Sequence, residues 1–575
     1  MPPRPRRSSK PLRLATSSTP PKPHDARGQA AARAAKDALL RCAWSEARAL
    51  CETSLAAGET AGALEDLGLA AWWVDDAELT FSARERAYTR YRENGDARGA
   101  ARVAIWLVWD YLSFRGDFAV ASGWMERARR LLVQHEQSPE FGWLLIREGE
   151  LALFRGHDPS AATESARRAA TLGRTLGDRG VEFTALALEG LSRVSVGEVA
   201  AGMRCLDEAT VAATAGEMKE LHAVGLVCCW QIFACERMRD YDRAAQWCAR
   251  VQEFTRRWNF HPLSAVCRAQ YAGVLIWRGE WAKAERELTA TSREMAHARP
   301  GMTGPVLARL GDLRLKQGRV LDAELLFEQS SGQPIARLGR ALIALERGNP
   351  SDAAKLLDQY LKDLGPDDAT ARAGALELAV RAHTTRGDVR AAKRALDELQ
   401  RIATSLGTVP VAASVMSARG TIMNQAGDCA DAADCFEKTV TLFEQAGAPF
   451  ETARARLDLA TALLAGGITE AAEREARAAR QVFRSLGATQ HEMRAADLIR
   501  RLAASTRPRN PSTTLTDRQV EVLKLVAQGL SNPEIATRLR LSDHTVKRHV
   551  ANLLTKLGLS SRSAAVAYAA REGLL

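Results

Sequence analysis

A short amphipathic segment near residue 550 carries the side chains whose types and spacing best fit a specific chemistry. Apolar residues recur at helical spacing and predict a helix with one face in a core: Val546, Val550, Leu553 and Leu557. The opposite face is polar: His544, Arg548, Ala551, Asn552 and Thr555, flanked by Thr545 and Lys547. A helix of this width fits the major groove of B-form DNA, where Arg548 can donate two hydrogen bonds to a guanine edge.

Neighbouring side chains suit the same surface. Ala551 lets the helix lie close to the bases or touches a thymine methyl group, and Lys547 reads a base or binds a phosphate. Thr545, on the first turn, adds a hydroxyl contact to phosphate beside the free backbone N–H groups. The alternative is an ordinary amphipathic helix with a solvated face. Nine basic and five acidic side chains give residues 512–575 a net charge of +4, which favours DNA binding.

Local signals divide residues 515–575 into four short helices. Capping residues predict where these helices start: Thr516 with Gln519, Ser531 with Glu534, Ser542, and Ser560 or Ser561. Gly529 and Gly558 predict two of the ends. Only a few residues around Arg540 and Leu541 join the second helix to the third, which is typical of a helix-turn-helix.

This stretch resembles the LuxR-type (GerE-like) helix-turn-helix domain of bacterial transcription factors. The matching residues are Leu515, Thr516, Arg518, Glu521, Val522, Leu523, Gly529, Ser531, Asn532, Glu534, Ile535, Ala536, Leu539, Ser542, Thr545, Val546, Lys547, His549, Lys556, Leu557, Gly558 and Arg562. Two residues depart from the family pattern. Gln519 stands where a Glu is usual, and Pro533 stands where a Lys is frequent, which would remove one phosphate contact.

The resemblance implies a domain that binds double-stranded DNA as a homodimer. Lys547 and Arg548 would contact bases in the major groove. Further predicted DNA contacts surround them: Ser531, Asn532, Ser542, Thr545, Lys556 and Arg562. The last predicted helix, 561–572, resembles the dimer contact of the family, with Ala565, Val566, Tyr568 and Ala569 as the predicted interface.

A repeat of about 40 residues fills the middle of the chain. A short loop signal recurs at Gly116, Gly156, Gly197, Arg239, Gly279, Gly318, Gly348, Gly387, Gly427 and Gly466. A small residue stands five positions after each mark, and a bulky apolar residue mostly stands nine positions after it. Glycine can end a helix in a left-handed conformation, and a small residue lets the next helix pack closely against the first. The pattern therefore predicts stacked helical hairpins.

This pattern resembles the tetratricopeptide repeat, in a form of about 40 rather than 34 residues, over roughly residues 35–504. Weaker matches near Ala43 and Asp76 indicate two more hairpins, and the 30-residue gap between Gly318 and Gly348 indicates a shortened helix. Other α-solenoids share these features. The resemblance implies a curved interaction scaffold for a protein or small-molecule signal, and not a catalyst.

Two residue types are unevenly distributed within the array. All twelve tryptophans lie between Trp44 and Trp281, and six of the ten cysteines lie between Cys205 and Cys267. One interpretation is an aromatic ligand groove and a thiol sensor. The other is core packing, with Cys acting as a small hydrophobe. The absence of a CxxC spacing favours core packing for the cysteines.

Composition and the absence of certain motifs further narrow the functional class of the protein. Residues 1–24 carry six basic and no acidic side chains and contain seven prolines, which indicates a solvated tail. No signal peptide or membrane span is indicated, so we expect a cytoplasmic protein. The chain has no Gly-Lys dipeptide and hence no P-loop, and it has no GxSxG elbow. We predict no catalytic residue, metal ligand or cofactor.

Together these patterns predict an all-α protein with four parts. We expect a basic disordered tail at 1–30, tetratricopeptide-like repeats at 31–504, a linker at 505–514 and a LuxR-type helix-turn-helix domain at 515–575. The corresponding function is a bacterial transcription regulator, with RNA polymerase as a further candidate partner. The alternative is an interaction scaffold that is tethered to DNA.

Overall fold

The computed structural model of the full chain describes residues 23–258, 261–506, 515–557, 559 and 561–571. Every regular element among these residues is a helix. None of the described helices combines the length and apolar character that a membrane crossing requires. The chain divides into two compact units, Met1–Ala495 and Ala496–Leu575.

The first unit is an array of helical hairpins, each made of two consecutive helices. The first six hairpins are α1 (Pro23–Leu40) with α2 (Trp44–Ala57), α3 (Ala61–Trp73) with α4 (Ala77–Glu93), α5 (Ala97–Asp110) with α6 (Phe118–Leu132), α7 (Pro139–Phe154) with α8 (Pro159–Leu176), α9 (Arg179–Val196) with α10 (Val199–Ala215), and α11 (Leu221–Met238) with α12 (Tyr241–Trp258). A π-helical turn, Tyr111–Arg115, extends α5.

Six more hairpins follow within the described residues. They are α13 (His261–Trp277) with α14 (Trp281–Ala298), α15 (Thr303–Lys316) with α16 (Val320–Gln329), α17 (Pro334–Glu346) with α18 (Pro350–Asp363), α19 (Ala369–Thr385) with α20 (Val389–Leu406), α21 (Val409–Ala426) with α22 (Cys429–Gln445), and α23 (Pro449–Ala465) with α24 (Thr469–Leu486). The helix α25 (Thr489–Thr506) comes next. The array is therefore the predicted tetratricopeptide-like solenoid.

The same local arrangement of two residues occurs in every described hairpin. A residue with positive φ separates its two helices: Cys42, Asp75, Gly116, His157, Gly197, Arg239, Gly279, Gly318, Gly348, Gly387, Gly427 or Gly467. The residue five positions later is buried in all twelve hairpins of the described chain, and it is Ala in ten of them. The left-handed residue turns the chain, and the small residue then lets the second helix approach the first closely.

The structure corrects the predicted register of two hairpins. His157, with φ of 49°, and not Gly156, takes the left-handed conformation, so Ala162 is the small buried residue. Gly467 likewise replaces Gly466. The two additional hairpins are confirmed at α1–α2 and α3–α4, and the shortened helix is α16, which has 10 residues.

Two predicted boundaries also differ from the structure. The first helix begins at Pro23, inside the stretch 1–30 that we expected to be tail. Proline suits the first turn of a helix, and strong helix formers follow it. At the other end α25 continues to Thr506, inside the expected linker. The remainder of the expected tail, 1–22, and of the expected linker, 507–514, lies outside the described residues.

Hairpins that are far apart in sequence contact each other directly. Side chains donate to backbone carbonyls of loops 169 to 172 residues away: Thr408 Oγ1 to Met238 at 2.8 Å, Trp277 Nε1 to Ala446 at 2.9 Å, and Thr489 Oγ1 to Gln317 at 2.8 Å. This separation corresponds to about four hairpins of about 40 residues. Hairpins about four repeats apart in sequence therefore touch each other.

The tryptophans and cysteines behave mainly as core residues. Trp72, Trp73, Trp230 and Trp281 are at most 5% exposed. Five of the six clustered cysteines are buried: Cys228, Cys229, Cys235, Cys248 and Cys267. Burial raises the pKa of the Cys235 thiol to about 12, which keeps it protonated and a poor nucleophile.

The second unit contains four short helices after the end of α25. They are α26 (Asp517–Ala527), α27 (Asn532–Leu539), α28 (Asp543–Leu557) and α29 (Arg562–Arg571). Their apolar faces share one core: Val522, Leu523, Leu525, Val526, Ile535, Ala536, Val546, Val550, Leu553, Ala565 and Ala569. The predicted helix end at Gly558 and the predicted helix start at Ser560 lie outside the described residues.

Candidate nucleic-acid interface

The helix α28 presents one face to the core and the opposite face to solvent. Val546, Val550 and Leu553 are at most 9% exposed, which confirms most of the predicted core face, and Leu557 is half-buried. These residues belong to the one hydrophobic core of the domain, so α28 has a fixed rotation about its axis. Its outward side chains are consequently held by a packed core.

The outward face of α28 holds the predicted base-reading residues. Arg548, Ala551 and Asn552 are exposed. Arg548 makes no hydrogen bond or ion pair with the part of the chain that the structure describes. Lys547 Nζ lies 2.9 Å from Asp543 Oδ2, one turn earlier. Arg548 thus has all its guanidinium donors available, whereas Lys547 is partly neutralised by its neighbour.

Thr555, which is also exposed, donates to the Ala551 carbonyl oxygen at 3.0 Å. Its hydroxyl hydrogen is therefore used within the helix, although its oxygen can still accept. His544 lies in the first turn of α28, but its side chain lies outside the described residues. The donors that remain on this face are the guanidinium of Arg548 and the amide of Asn552.

The N-terminus of α28 is capped as the sequence predicts. The Thr545 backbone N–H donates to Ser542 Oγ at 3.1 Å, and the hydroxyls of Ser542 and Thr545 lie 2.7 Å apart. These contacts orient both hydroxyls at the positive end of the helix. An anion at this end would meet free backbone N–H groups and a hydroxyl together.

The turn between α27 and α28 lies at Arg540, where the sequence predicts it, but the conformation of this residue was not predicted. Arg540 has φ of 51° and ψ of 48°, a left-handed conformation usually taken by glycine. The Leu541 N–H donates to the Ala536 carbonyl at 2.9 Å, which closes the end of α27. Arg518 Nη2 donates to the Leu539 carbonyl at 2.9 Å, so α26 also holds this turn. The absence of glycine in so short a turn was the available signal.

Ser531 caps α27, and its N–H and hydroxyl are both hydrogen-bonded to Glu534. The Glu534 carboxylate accepts hydrogen bonds from the Ser531 N–H and hydroxyl, both at 2.6 Å. These bonds hold the pKa of Glu534 below its usual range. Because its only hydroxyl hydrogen is directed at Glu534, Ser531 cannot also donate to a phosphate.

Two residues that we expected to contact phosphate face into the domain instead. Arg562 donates from Nη1 to Asn532 Oδ1 at 2.9 Å and from Nη2 to the Leu530 carbonyl. Lys556 Nζ lies 3.3 Å from Gln519 Oε1 on α26. Both cations therefore join helices to each other in this structure, and their phosphate contacts stay a prediction.

The C-terminal domain matches a known family. Residues 513–569 match the family model described as bacterial regulatory proteins, luxR family. These residues form a LuxR-type helix-turn-helix domain. It is a DNA-binding module of bacterial transcription regulators.

The matches to curated relatives are short and cover a small part of this chain and of each relative. The chain is 47% identical over 77 residues to the nitrate/nitrite response regulator protein homolog of Haemophilus influenzae, covering 13% of this chain and 37% of that protein. It is 52% identical over 56 residues to the nitrate/nitrite response regulator protein NarP of Escherichia coli, covering 10% and 26%. It is 46% identical over 61 residues to the response regulator protein VraR of Staphylococcus aureus, covering 11% and 29%.

The chain thus spans about a quarter to about a third of the length of these curated relatives. Among solved structures, the crystal structure of the APC/C hetero-tetramer Cut9-Hcn1 contains a chain that is 14% identical to this one. The likeness covers 83% of this chain and 96% of that chain, with a TM-score of 0.43.

The last helix of the LuxR-type domain, α29, directs two of the predicted dimer residues into the core of the domain. Ala565 and Ala569 are at most 1% exposed and lie in the core of the domain itself, so neither is available to a second copy. These small residues allow α29 to pack closely against α26, and the dimer interface stays a prediction. Val566 and Tyr568 are half-buried and remain partly accessible.

Two further basic residues of the LuxR-type domain lie close in sequence to the start of α28. Arg538 and Arg540 are exposed near the end of α27, and the sequence analysis did not include them among the DNA contacts. Both lie within a few residues of the capped start of α28. Arg538 on α27 and Arg540 in the following turn therefore add positive charge close to the start of the helix that carries Arg548.

Proposed function

We propose that the protein is a bacterial transcription regulator that reads promoter DNA through α28. The observation that carries this proposal is the exposed, unpaired guanidinium of Arg548, held outward by the buried face of the same helix. Arg548 would bind a guanine edge with two hydrogen bonds, and Asn552, one turn later, would suit an adenine. Ala551 between them would allow the close approach that both contacts need.

The phosphate contacts would come from the capped start of α28 and the end of α27. Ser542 and Thr545, with the free N–H groups of the first turn, would bind one phosphate. Lys547, Arg538 and Arg540 would add charge along the duplex backbone. His544 remains a proposed contact, and Asn532 would use its amide hydrogens because Arg562 occupies its oxygen. Arg562 and Lys556 would position helices and not bind DNA directly.

The array would pass a signal to this domain. An array of twelve hairpins far exceeds what DNA binding requires, so we propose that it binds a protein or small molecule. Two copies would bind one operator as a homodimer, with Val566 and Tyr568 as the accessible part of α29. RNA polymerase is a proposed partner at the promoter.

A map of bound DNA in cells tests this function. The full chain should occupy a set of sharp promoter sites. A chain lacking residues 1–504 should bind the same sites, but the transcription of the target genes should change. A diffuse distribution along the chromosome would contradict the regulator and favour a scaffold tethered to DNA. Unchanged transcription and unchanged response to growth conditions after the deletion would contradict the regulatory role of the array.

A further inference from the structure

A groove of about 590 Å³ runs along one face of α4 in the second hairpin. Three carboxylates line it along the helix, Glu78, Glu85 and Glu93, at intervals of seven and eight residues. Glu59, which precedes α3, lies beside the C-terminal half of α4, and Arg115, which ends the π-helical turn, lies beside the N-terminal half. This α4 groove therefore follows the helix for about 22 Å.

The N-terminal half of the groove has an aromatic floor and two carboxylates with few partners. Phe81 is 4% exposed, and the Arg115 guanidinium lies 4.2 Å from the centre of its ring. Arg115 Nη2 is 3.6 Å from Glu78 Oε1, which is too long for a hydrogen bond, and the Glu78 side chain is 92% exposed. Within the described residues, the Glu85 side chain accepts one hydrogen bond, from Tyr111 Oη at 2.9 Å. Both carboxylates can therefore accept hydrogen bonds from a further cation.

The C-terminal half of the groove contains exposed ion pairs. Arg86 and Arg90 both donate to Glu59, Arg90 through Nε at 3.0 Å. Arg90 Nη1 also donates to Glu93 Oε2 at 2.9 Å. The side chains of Arg86, Arg90 and Glu93 are about half exposed, so water screens these pairs and they can exchange for other partners.

The charge around this groove is opposite to that of the first 22 residues of the chain. Residues 44–96 carry eleven acidic and five basic side chains, which gives a net charge of −6. Residues 1–22, the N-terminal segment, carry six basic and no acidic side chains, which gives a net charge of +6, and they include six prolines. The two stretches are therefore complementary in charge.

The N-terminal segment joins the array close to one end of the α4 groove. The helices α1 and α2 form an antiparallel hairpin, and a Cβ atom on Gly28 of α1 would lie 2.5 Å from the Cβ atom of Ala57. Pro23, where α1 begins, is five residues, or about 7.5 Å of helix, before Gly28. Glu59 follows Ala57 by two residues. The segment therefore leaves α1 close to Glu59 and to the C-terminal half of the groove.

The order of residues in the N-terminal segment has a period of three. Four cations recur at every third position: Arg4, Arg7, Lys10 and Arg13. Three prolines share another register: Pro2, Pro5 and Pro11. A polyproline II helix has three residues per turn and rises about 3.1 Å per residue, so in this conformation the cations lie on one side, about 9 Å apart, and the prolines on another. The carboxylates of the α4 groove are about 10–12 Å apart along the helix axis, a spacing that long cationic side chains can match.

We propose that the N-terminal segment docks in the α4 groove as an extended chain of the polyproline II type. Cations on one side of the segment bind the carboxylates of Glu78, Glu85 and Glu93, and prolines on another side pack against Phe81. About seven residues in this form span the groove, so 22 residues are enough both to reach it from Pro23 and to fill it. Docking covers the groove and ties the start of α1 to the second hairpin, and it does not depend on DNA binding by α28.

Binding of a labelled peptide with the sequence of residues 1–22 tests the docking. Fluorescence anisotropy is measured at low salt and without DNA, against the full chain and against a chain that lacks residues 1–22. The shortened chain retains every described residue and should bind the peptide. The full chain should bind it at least about tenfold more weakly, because its own segment is held near the groove at a high effective concentration. Added salt should weaken binding to both chains.

Charge-removing variants of the shortened chain locate the site. Glu78→Gln combined with Glu85→Gln should weaken peptide binding at least about tenfold. Asp431→Asn combined with Glu437→Gln is the matched control, since both residues are exposed on α22. Residues 428–473 around them carry nine acidic and three basic side chains, which is the same net charge of −6. The control should leave binding unchanged.

A permuted peptide tests the spacing of the cations. It contains the same residues in an order that removes their period of three, and it should bind the shortened chain at least about fivefold more weakly. Far-ultraviolet circular dichroism identifies a variant chain that does not fold, in which case the permuted peptide decides.

Three results would overturn the proposal. The first is that the shortened chain does not bind the peptide, including the case in which the peptide binds duplex DNA instead. The second is that the groove variant and the α22 control weaken binding equally. The third is that the permuted peptide binds as well as the original, which would indicate attraction between net charges alone.

Discussion

Replacing Arg562 by Ala separates two roles for this side chain. The structure places its guanidinium within the LuxR-type domain, bonded to Asn532 Oδ1 and to the Leu530 carbonyl. The substitution removes two charge-assisted hydrogen bonds and leaves the Leu530 carbonyl without this donor. It should therefore destabilise the domain and not simply weaken DNA binding.

The expected magnitude follows from these two bonds. Hydrogen bonds to a charged group contribute roughly 1.5–3 kcal/mol each. Arg562 is half-buried, so solvent screening reduces both contributions. A total loss of about 2 kcal/mol is expected. For a domain of this size, that loss would lower the melting temperature by about 8–16 °C.

The assay is urea unfolding of residues 510–575, followed by circular dichroism, with Arg538→Ala as the control. Arg538 is exposed on α27 and carries the same charge, so its removal should change stability by less than about 0.5 kcal/mol. The reasoning fails if Arg562→Ala unfolds like the unmodified fragment while the salt dependence of DNA binding falls by about one unit of slope. That combination would indicate a phosphate contact.

Three further predictions concern the turn, the array and the independence of the domain. Arg540→Gly should stabilise residues 510–575 by about 1 kcal/mol, since glycine takes a left-handed conformation without penalty; a lower urea midpoint would contradict this. Burial raises the pKa of the Glu377 carboxyl, but Arg239 and Arg454 outweigh it and hold this pKa at about 2, below the ordinary 4.5. The ionised carboxylate therefore stabilises the folded array above a pH of about 4.5, and this stabilisation is lost as the pH falls toward 2. Glu377→Gln should lower the melting temperature of the full chain at pH 7 and reduce the fall of that melting temperature in acid. If the melting temperature depended on pH as it does in the unmodified chain, this role of Glu377 would be excluded. Residues 510–575 should fold alone, because one core joins all four helices, and an unfolded spectrum would refute that.

The sequence predicted those features that depend on short stretches of chain. The hairpins follow from a turn residue and a small residue five positions later, and the helix starts at Thr516 and Ser531 follow from capping residues. The register at Gly156 and Gly466 was wrong because the next residue, His157 or Gly467, takes the left-handed conformation instead. Only packing of the following alanine decides between the two.

Features that depend on side-chain direction or on distant contacts could not be predicted. Arg562 and Lys556 have long flexible side chains, and their sequence positions do not indicate whether they turn outward or toward another helix. Ala565 and Ala569 were predicted on the dimer surface from the family resemblance, which does not indicate the direction in which small side chains of α29 point. The ion pair between Glu377 and Arg454 joins helices 77 residues apart in sequence, which no local pattern indicates.

The central claim is that α28 reads base sequence through Arg548. The decisive measurement compares binding of the full chain and of Arg548→Ala and Arg548→Lys to a selected operator and to scrambled DNA across a salt series. Arg548→Ala should lose about 1–3 kcal/mol on the operator and much less on scrambled DNA. Arg548→Lys keeps the charge but cannot form the paired contact, so it should retain affinity for scrambled DNA and lose preference for the operator. Equal proportional losses on both DNAs for Arg548→Ala would contradict the account and show that this side chain reads no base.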